Sequence, residues 1–239
     1  QCDAAISHKQ AVNGARGKNL VGAYYAPRRI VVDVDLLQTL DRRWLIDGFA
    51  EIVKHALAQD PAYAADLLAS DADVSDPALL ARVVARNIEL KCALMATDPH
   101  EHREALVLQY GHPIGHAIEH LSGYRLGHGE AVAVGMAVTA RVARLMGACD
   151  DATVAAHDAL LGRFGLPTRV PADIRTADVL AALRYDKKRL ADGARMPLVA
   201  EVGRLWRVDD TYAIPVSDAV VAQAIEAARE DGATRAVSQ

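Results

Sequence analysis

Histidine is concentrated in one short stretch of this 239-residue chain, where six of the nine histidines fall between His100 and His128. His112 and His116 are four residues apart, so a helix would place them on one face, one turn above the other. Glu51, in the helix-like segment GFAEIVKHAL, is the nearest good candidate for a carboxylate partner. Two imidazoles, one carboxylate and an open fourth position commonly hold a catalytic divalent metal. The pattern predicts a metal site formed by Glu51, His112 and His128.

The alternative interpretation is that these histidines are ordinary hydrogen-bonding residues of a helix surface or core. Glycines stand near each candidate ligand, and we expect them to leave room for close packing around an ion. This feature favours the metal interpretation. The spacing differs from the HExxH pattern of zinc proteases, which needs a glutamate directly after the first histidine. The sequence therefore argues against peptide hydrolysis.

Lysines form a second set of candidate residues: Lys9, Lys18, Lys54, Lys91, Lys187 and Lys188. Ammonium groups of this kind bind a phosphate or a polyhydroxylated anion. The alternative is solvated surface charge, which is the better interpretation of the double lysine taken alone. Lys54 differs, because it follows Glu51 by three residues in an otherwise apolar segment and should point where the carboxylate points.

The elements that must hold these residues are mostly helices. Apolar residues at helical spacing predict helices over residues 41–58, 61–70, 77–97, 110–121, 129–147, 151–164, 175–184 and 217–230. Asp76 is a suitable cap for the third helix, with Pro77 at its first position, and Ser217 is a suitable cap for the last.

Short segments outside these helices are predicted from turn residues and from β-branched runs. They comprise a helix end within 1–12, a loop at Asn13–Asn19, a strand at Ile30–Val32 and a strand–turn–strand in MPLVAEVGRLWRV. The predicted fold class is mainly α with a few strands.

Composition excludes several classes of protein. Hydrophobic residues make up 51% of the chain, which is enough for a sizeable core, and the net charge of −4 is too small to indicate nucleic acid or an acidic membrane as partner. The three cysteines are far apart, as is typical of a reducing cytoplasm. No apolar run is long enough to predict a membrane span. Because the chain starts with Gln1 and not Met, we expect it to be part of a longer protein.

Three long motifs carry a resemblance to a known family. The strings KQAVNGARGKNLVGAYYAP, GFAEIVKHAL and LQYGHPIGHAIEHLSGYRLGHGEAVAVGM occur in that order. Together they resemble the sugar phosphate cyclases of the dehydroquinate synthase superfamily, over nearly the whole chain. The resemblance implies a carbon–oxygen lyase that eliminates phosphate from a small sugar phosphate substrate, with NAD and a divalent metal, cobalt or zinc, as cofactors.

The resemblance also implies roles for individual residues. The metal ligands of the family fall on Glu51, His112 and His128, and its catalytic residues fall on Lys9 and Gln109. Contacts to NAD are implied for Asp3, Ser7, Lys9, Lys18 and Asn19. Contacts to substrate are implied for Asn19, Lys54, Lys91, His116 and Lys188.

Family members also have a Rossmann-like front domain with a Gly-rich turn for the NAD pyrophosphate. This chain shows no such turn. We therefore expect residues 1–40 to be a remnant of the α/β NAD-binding domain, and residues 41–239 to form a dehydroquinate synthase-like helical domain that binds metal and substrate.

Three positions indicate one branch of the superfamily. Gln109 stands where dehydroquinate synthases have asparagine and the 2-deoxy-scyllo-inosose synthases have Glu or Gln, and Tyr110 follows it. Ala105 replaces an arginine that is usual in dehydroquinate synthases. The resemblance to the inosose branch implies cyclisation of glucose 6-phosphate to 2-deoxy-scyllo-inosose in aminoglycoside antibiotic biosynthesis.

Several alternatives stay open at the level of sequence. Within the superfamily they are 3-dehydroquinate synthase and 2-epi-5-epi-valiolone synthase. More distant alternatives are an iron- or zinc-dependent alcohol dehydrogenase and an inactive helical fragment or interaction module. From its relatives we expect a cytoplasmic homodimer without nucleic-acid or membrane partners.

Overall fold

The computed structural model describes residues 1–14, 17–185 and 194–230, except for the side chains of residues 13, 14, 17–20, 185 and 230. Most of this part of the chain is helical, as the fold class predicted. The α-helices are α1 Arg42–Gln59, α2 Pro61–Ala69, α3 Pro77–Thr97, α4 His112–Leu121, α5 His128–Leu145, α6 Asp151–Arg163, α7 Thr176–Tyr185 and α8 Asp218–Glu230. None of the helices in these ranges combines the length and apolar character needed to span a bilayer.

The strands pair as short antiparallel ribbons. β1 Lys9–Gly14 pairs with β2 Gly17–Tyr24, with Lys9 opposite Tyr24. Nearer the end of the chain lie β3 Ala194–Met196, β4 Val199–Glu201, β5 Arg204–Leu205 and β6 Ile214–Val216. In this second group β3 pairs with β6, and β4 pairs with β5. Two 3-10 helices, Val34–Thr39 and Glu104–Gln109, complete the elements.

Helix α5 lies at the centre of the core. Its sequence HGEAVAVGMAVTARVARL is apolar on nearly every side, and all its residues from Ala131 to Ala143 are buried. A helix that is apolar all round must be covered all round, and α1, α4, α6 and α8 pack against it. The start of α5, which carries His128, is therefore held from several directions.

Two glycines of α5 allow its neighbours to approach closely. A Cβ on Gly135 would lie 2.1 Å from the carbonyl oxygen of Gly111 and 2.7 Å from the amide nitrogen of Gly115, at the start of α4. A Cβ on Gly129 would lie 1.8 Å from the carbonyl oxygen of Asp47 in α1. Only glycine permits these backbone contacts. They bring the starts of α4 and α5, which carry His112 and His128, close to α1, which carries Glu51.

The helix starts follow the predicted capping residues. The carboxylate of Asp76 accepts the Leu79 N–H at 2.7 Å, with Pro77 at the first position of α3. Ser217 Oγ accepts the Val220 N–H at 3.4 Å at the start of α8. Side-chain caps satisfy amide groups that have no partner inside the helix. The predictions at both positions are confirmed.

Predictions for the first 32 residues are wrong in three places. The loop expected at Asn13–Asn19 is not a loop at its described residues, because Asn13 and Gly14 continue β1 and residues 17–19 begin β2, with Gly14 opposite Gly17. Residues 1–12 contain β1 and no helix end. The strand expected at Ile30–Val32 does not form, since Val31 is 83% exposed and no described strand lies alongside. A β-branched run needs a neighbour to pack against before it becomes a strand.

Candidate metal centre and substrate pocket

Glu51, His112 and His128 converge on one point. Glu51 Oε1 lies 3.5 Å from His112 Nε2 and 3.3 Å from His128 Nε2. Ligand atoms bonded to a tetrahedral zinc ion at about 2.0–2.1 Å lie about 3.3 Å apart. The donor atoms are thus spaced as the ligands of one small divalent cation, and the donor set fits the expected cobalt or zinc ion.

Different helices supply the three donors. Glu51 lies in the middle of α1, whereas His112 and His128 are the first residues of α4 and α5. The ring centroids of the two histidines are 5.5 Å apart. The convergence therefore depends on the close contacts that α5 makes with α1 and α4.

The outer nitrogen of each imidazole is held by an oxygen. His128 Nδ1 lies 3.1 Å from Glu119 Oε2, and His112 Nδ1 lies 3.1 Å from the carbonyl oxygen of Tyr110. Both oxygens are acceptors, so we assign the proton of each ring to Nδ1. Each Nε2 then directs a lone pair into the space that it shares with Glu51 Oε1, where the ion would lie, and Glu119, His128 and that ion would form a carboxylate–histidine–metal arrangement.

Glu119 is a functional candidate that the sequence analysis missed. Its carboxylate is buried near the end of α4. The signal was present, because Glu119 follows His112 by seven residues and therefore lies on the same helix face. We expect it to raise the basicity of His128 as a ligand.

His116 stands beside the same centre. Its ligand atom lies within 4.8 Å of those of His112 and His128, and its side chain is the most exposed of the three. Glu51 is the better third ligand on distance, because its oxygen is 3.3 and 3.5 Å from the two imidazole nitrogens. His116 is placed to face a molecule that enters from solvent, as expected of a substrate contact.

A buried charge network adjoins the metal centre. Lys54 Nζ lies 2.7 Å from Asp3 Oδ2 and 2.5 Å from Glu51 Oε2. Lys91 Nζ pairs with Asp3 Oδ1 and donates to the Asp3 carbonyl oxygen at 2.7 Å. His55 Nε2 lies 3.4 Å from Asp3 Oδ2. Asp3, predicted to contact NAD, is thus held between two lysines that were predicted to contact substrate.

The network keeps its members charged despite burial. Burial by itself raises the pKa of Glu51, but the positive charge of Lys54 outweighs it and holds this pKa well below its usual value. Burial lowers the pKa of Lys54, whereas Asp3 and Glu51 raise it, and the net pKa is raised. The Glu51 carboxylate is therefore ionised at neutral pH, which is the form that binds a cation.

Lys9 and Gln109, the predicted catalytic residues, meet at a shared carboxylate. Lys9 Nζ pairs with Glu101 Oε2, and Gln109 Nε2 donates to the same oxygen at 3.1 Å. Glu101 has a left-handed backbone with φ of 57°, an uncommon conformation outside glycine. The carboxylate of Asp98 supports this loop by accepting backbone N–H groups, including that of Ala105 at 3.0 Å. Glu101 was not among the residues predicted from the sequence.

Arg195 is a second residue that the sequence analysis missed. It lines a cavity of about 130 Å³ together with Gln109 and His116. One of its terminal nitrogens donates to the Ala213 carbonyl oxygen at 3.2 Å, while its buried Nε has no hydrogen-bond partner among the described residues. An unsatisfied guanidinium N–H is costly unless a ligand completes it. The cavity therefore suits an anionic group.

The remaining predicted residues lie around the hairpin or outside the described part of the chain. Ser7, Lys9 and Lys91 line a cavity of about 520 Å³ beside β1 and β2. Lys18 and Asn19 lie on β2, and their side chains are not among those described. Lys188 lies outside the described residues.

Models of known protein families match most of this chain. The model for the 3-dehydroquinate synthase N-terminal domain matches residues 1–47, and the model for the C-terminal domain matches residues 48–189. The chain belongs to the 3-dehydroquinate synthase family. The resemblance that the motifs indicated is confirmed. The boundary predicted at residues 40 and 41 stays a proposal.

Curated relatives include members of two branches. The chain is 41% identical over 238 residues to the 2-deoxy-scyllo-inosose synthase of Streptomyces lividus, covering 96% of this chain and 62% of that protein. It is 40% identical over 216 residues to a 3-dehydroquinate synthase of Xanthomonas campestris pv. campestris, covering 87% and 58%. The chain thus spans about three fifths of the length of these relatives.

Solved structures of the same family share the fold. A 2-deoxy-scyllo-inosose synthase complexed with carbaglucose-6-phosphate, NAD+ and Co2+ matches with a TM-score of 0.81 and 31% identity, covering 94% of this chain and 63% of that one. A 2-epi-5-epi-valiolone synthase from Streptomyces hygroscopicus subsp. jinggangensis with NAD+ and Zn2+ bound matches with a TM-score of 0.81 and 28% identity, covering 96% and 63%. The helical fold class is confirmed.

Proposed function

We propose that the protein is a sugar phosphate cyclase of the inosose synthase type, which converts glucose 6-phosphate to 2-deoxy-scyllo-inosose with loss of phosphate. The observation that carries the proposal is the centre formed by Glu51, His112 and His128, with a cavity beside it to which Arg195, Gln109 and His116 contribute polar groups. The similarity to the S. lividus inosose synthase supports it. Such an enzyme would serve aminoglycoside antibiotic biosynthesis.

Glu51, His112 and His128 would hold the metal ion. Imidazole and carboxylate donors accept both cobalt and zinc, and both ions occur in the similar solved structures. When bound, such an ion polarises an alcohol or ketone oxygen of the substrate. Glu119 and the Tyr110 carbonyl would keep both imidazoles in the tautomer that binds.

NAD would bind in the cavity beside β1 and β2. The proposed contacts are Asp3, Ser7, Lys9, Lys18 and Asn19. Ser7 and Lys9 line the cavity of about 520 Å³ there, and both similar solved structures contain NAD+. When bound, NAD would accept a hydride from the substrate carbon that bears a hydroxyl group and later return it to that carbon.

The substrate phosphate would bind against Arg195 and His116. The free Nε of Arg195 and the exposed imidazole of His116 are donors for an anion. Asn19 and Lys188 are proposed to complete this contact. Lys54 and Lys91 would hold sugar hydroxyls near the metal, and Glu101 would fix Lys9 and Gln109 so that both face the reacting carbons.

Phosphate release from three substrates tests the proposal. The full-length protein, supplied with NAD+ and Co2+, should release phosphate from glucose 6-phosphate faster than from sedoheptulose 7-phosphate or from the seven-carbon keto acid phosphate used by dehydroquinate synthase. Faster release from either of the other two would instead assign the valiolone or the dehydroquinate branch.

Dehydroquinate synthase is the second candidate, because relatives of that branch are 40% identical. Ala105, which is fully buried, argues against it. The arginine usual at this position would supply a charged group for the substrate carboxylate, and a methyl group offers none. An alcohol dehydrogenase would release no phosphate from any of the three substrates, and an interaction module would contain no stoichiometric divalent ion.

A further inference from the structure

Tyr110 and His157 form a buried pair behind the metal centre. Both side chains are fully buried, and Tyr110 Oη lies 2.9 Å from His157 Nε2. Tyr110 precedes α4 by two residues, whereas His157 lies in the middle of α6. The pair therefore connects α6 to the segment that leads into the first metal histidine.

The direction of this hydrogen bond is fixed by a second one. His157 Nδ1 lies 2.8 Å from the carbonyl oxygen of Thr153, an acceptor, so Nδ1 must carry the proton. Nε2 is then the acceptor for the Tyr110 hydroxyl. Burial lowers the pKa of His157 to about 4 and raises the pKa of Tyr110 well above its usual value. Both groups are neutral near pH 7, and the bond has one stable arrangement.

Tyr110 is also bonded through its backbone. Its carbonyl oxygen accepts the Nδ1–H of His112 at 3.1 Å, across the single residue Gly111. The same residue is thus anchored by its hydroxyl to α6 and supports a metal ligand by its carbonyl. A displacement of the Tyr110 side chain would move the oxygen that orients His112.

We propose that the Tyr110–His157 hydrogen bond positions His112 for metal binding, so that α6, which supplies no ligand, contributes to the affinity of the centre. This inference rests on the proposed metal function of Glu51, His112 and His128. Outer partners of metal-binding histidines typically change the affinity for the ion about 10–100-fold when they are altered. The Tyr110–His157 hydrogen bond is one hydrogen bond further from the ion than such an outer partner, so we expect a decrease in metal affinity of about tenfold.

Tyr110→Phe tests the inference with little change in packing. The substitution keeps the ring and removes the hydroxyl, which leaves His157 Nε2 without its donor. Tyr63→Phe is a matched control, because the buried Tyr63 hydroxyl lies 3.2 Å from Asn87 Oδ1 and this pair joins α2 and α3, which carry none of the proposed metal ligands. Both variants should lose some thermal stability, since each loses one buried hydrogen bond.

Metal affinity separates a positioning role from a merely structural one. In a titration of the purified protein with Co2+, followed by visible absorption, Tyr110→Phe should bind about tenfold more weakly and give an altered spectrum. Tyr63→Phe should bind like the wild type. Unchanged affinity and spectrum in folded Tyr110→Phe, or an equal loss in Tyr63→Phe, would overturn the inference.

A second variant covers the case in which Tyr110→Phe folds poorly. The double change Tyr110→Phe with His157→Leu leaves no unpaired polar atom between the two side chains, and it should weaken Co2+ binding as much as the single change does. Wild-type affinity in the folded double variant would overturn the inference. If the wild type itself binds no Co2+, the proposed metal function fails and the inference with it, and that outcome is distinct from a loss confined to the variants.

Discussion

At the scale of single residues, Glu101 joins two side chains that the sequence pointed to separately. Its Oε2 accepts from Gln109 Nε2 at 3.1 Å and pairs with Lys9. A carboxylate shared by an ammonium and an amide holds both donors in one orientation and limits their movement when the pocket is empty. The resulting preorganisation is worth most where reacting groups must be aligned.

Glu101→Gln should therefore lower kcat about 100-fold, since a small misplacement of a positioned group costs about that much. Co2+ affinity should stay at the wild-type value, because no metal ligand contacts Glu101 among the described residues. Steady-state kinetics and metal titration of the full-length protein measure the two effects. Glu104→Gln is the control, as Glu104 pairs with Arg207 at 3.1 Å on the outside of the same segment. A kcat near that of the control would contradict the proposed role.

His157 makes stability depend on pH in a defined window. Its pKa is about 4 in the folded chain, against about 6.5 in an unfolded one. The unfolded state binds the proton more tightly, so stability is fully present above about pH 6.5 and decreases as pH falls towards 4. The total loss is about 3 kcal/mol, from about 1.4 kcal/mol for each pKa unit.

Urea unfolding between pH 4 and 7 measures this loss. In His157→Gln, whose amide oxygen still accepts from Tyr110, the free energy of unfolding should vary less with pH. Some dependence should remain, because burial also lowers the pKa of His55. The same pH dependence in wild type and variant would show that His157 is not the source.

Residue types and spacing were sufficient to find Glu51, His112 and His128 as candidate ligands, because each lies on a helix whose period is visible in the sequence. They were insufficient for Glu101, whose orientation comes from a left-handed backbone held by Asp98. Arg195 was also missed, since its role depends on a cavity between β3 and the segment before α4. Such contacts arise from tertiary packing that no local pattern encodes.

At the scale of elements, glycines contribute through backbone contact. The sequence predicts that they make room around the ion. Gly129 and Gly135 instead meet the backbones of α1 and α4, where a Cβ would lie 1.8 and 2.1 Å from carbonyl oxygens. The distance between the ligands therefore depends on how closely these helices approach.

Gly135→Ala should push α4 away from α5. We expect a loss of about 3 kcal/mol, the upper end of ordinary overpacking costs, and weaker Co2+ binding because His112 moves relative to His128. Gly48→Ala in α1 is the matched control, since nothing lies within 4 Å of its added Cβ. This change should stabilise the chain by about 0.5–1 kcal/mol. Chemical unfolding and metal titration compare the two variants, and equal effects would contradict the packing argument.

The elements themselves were predictable to different degrees. Helices with a cap and a clear apolar period, such as α3 and α8, have nearly the predicted bounds. The β1–β2 pairing was missed because the glycines and asparagines of Asn13–Asn19 are typical of a loop, whereas β1 extends to Gly14 and β2 begins at Gly17. Strand pairing depends on residues that are far apart in the sequence, so a local pattern does not predict it. At Ile30–Val32 the error is the opposite one, because a strand was predicted and none forms.

At the scale of the whole molecule, exposed apolar side chains are unevenly distributed. Nine of the thirteen large hydrophobic side chains that are exposed lie between Val12 and Trp44 in the described part of the chain. Apolar surface gathered in this way favours contact with a further polypeptide surface. The choice among the proposed substrates, in contrast, rests on a few positions, and Ala105 is the most informative of them.

We expect the full-length protein to be a homodimer, as the family resemblance implies. Sedimentation equilibrium at micromolar concentration should give twice the mass of one chain. A monomer mass throughout the micromolar range would contradict this expectation. Because the metal ligands of the proposed centre all come from one chain, Co2+ should bind with one ion per chain in either case.

His112 and His128 are each the first residue of a helix. Peptide dipoles add along a helix to roughly half a positive elementary charge at its start. Two such partial charges therefore flank the imidazole donors, and their field attracts negatively charged molecules to this corner of the protein. A preference for the proposed anionic substrate would thus be partly a property of the main chain, which no side-chain substitution removes.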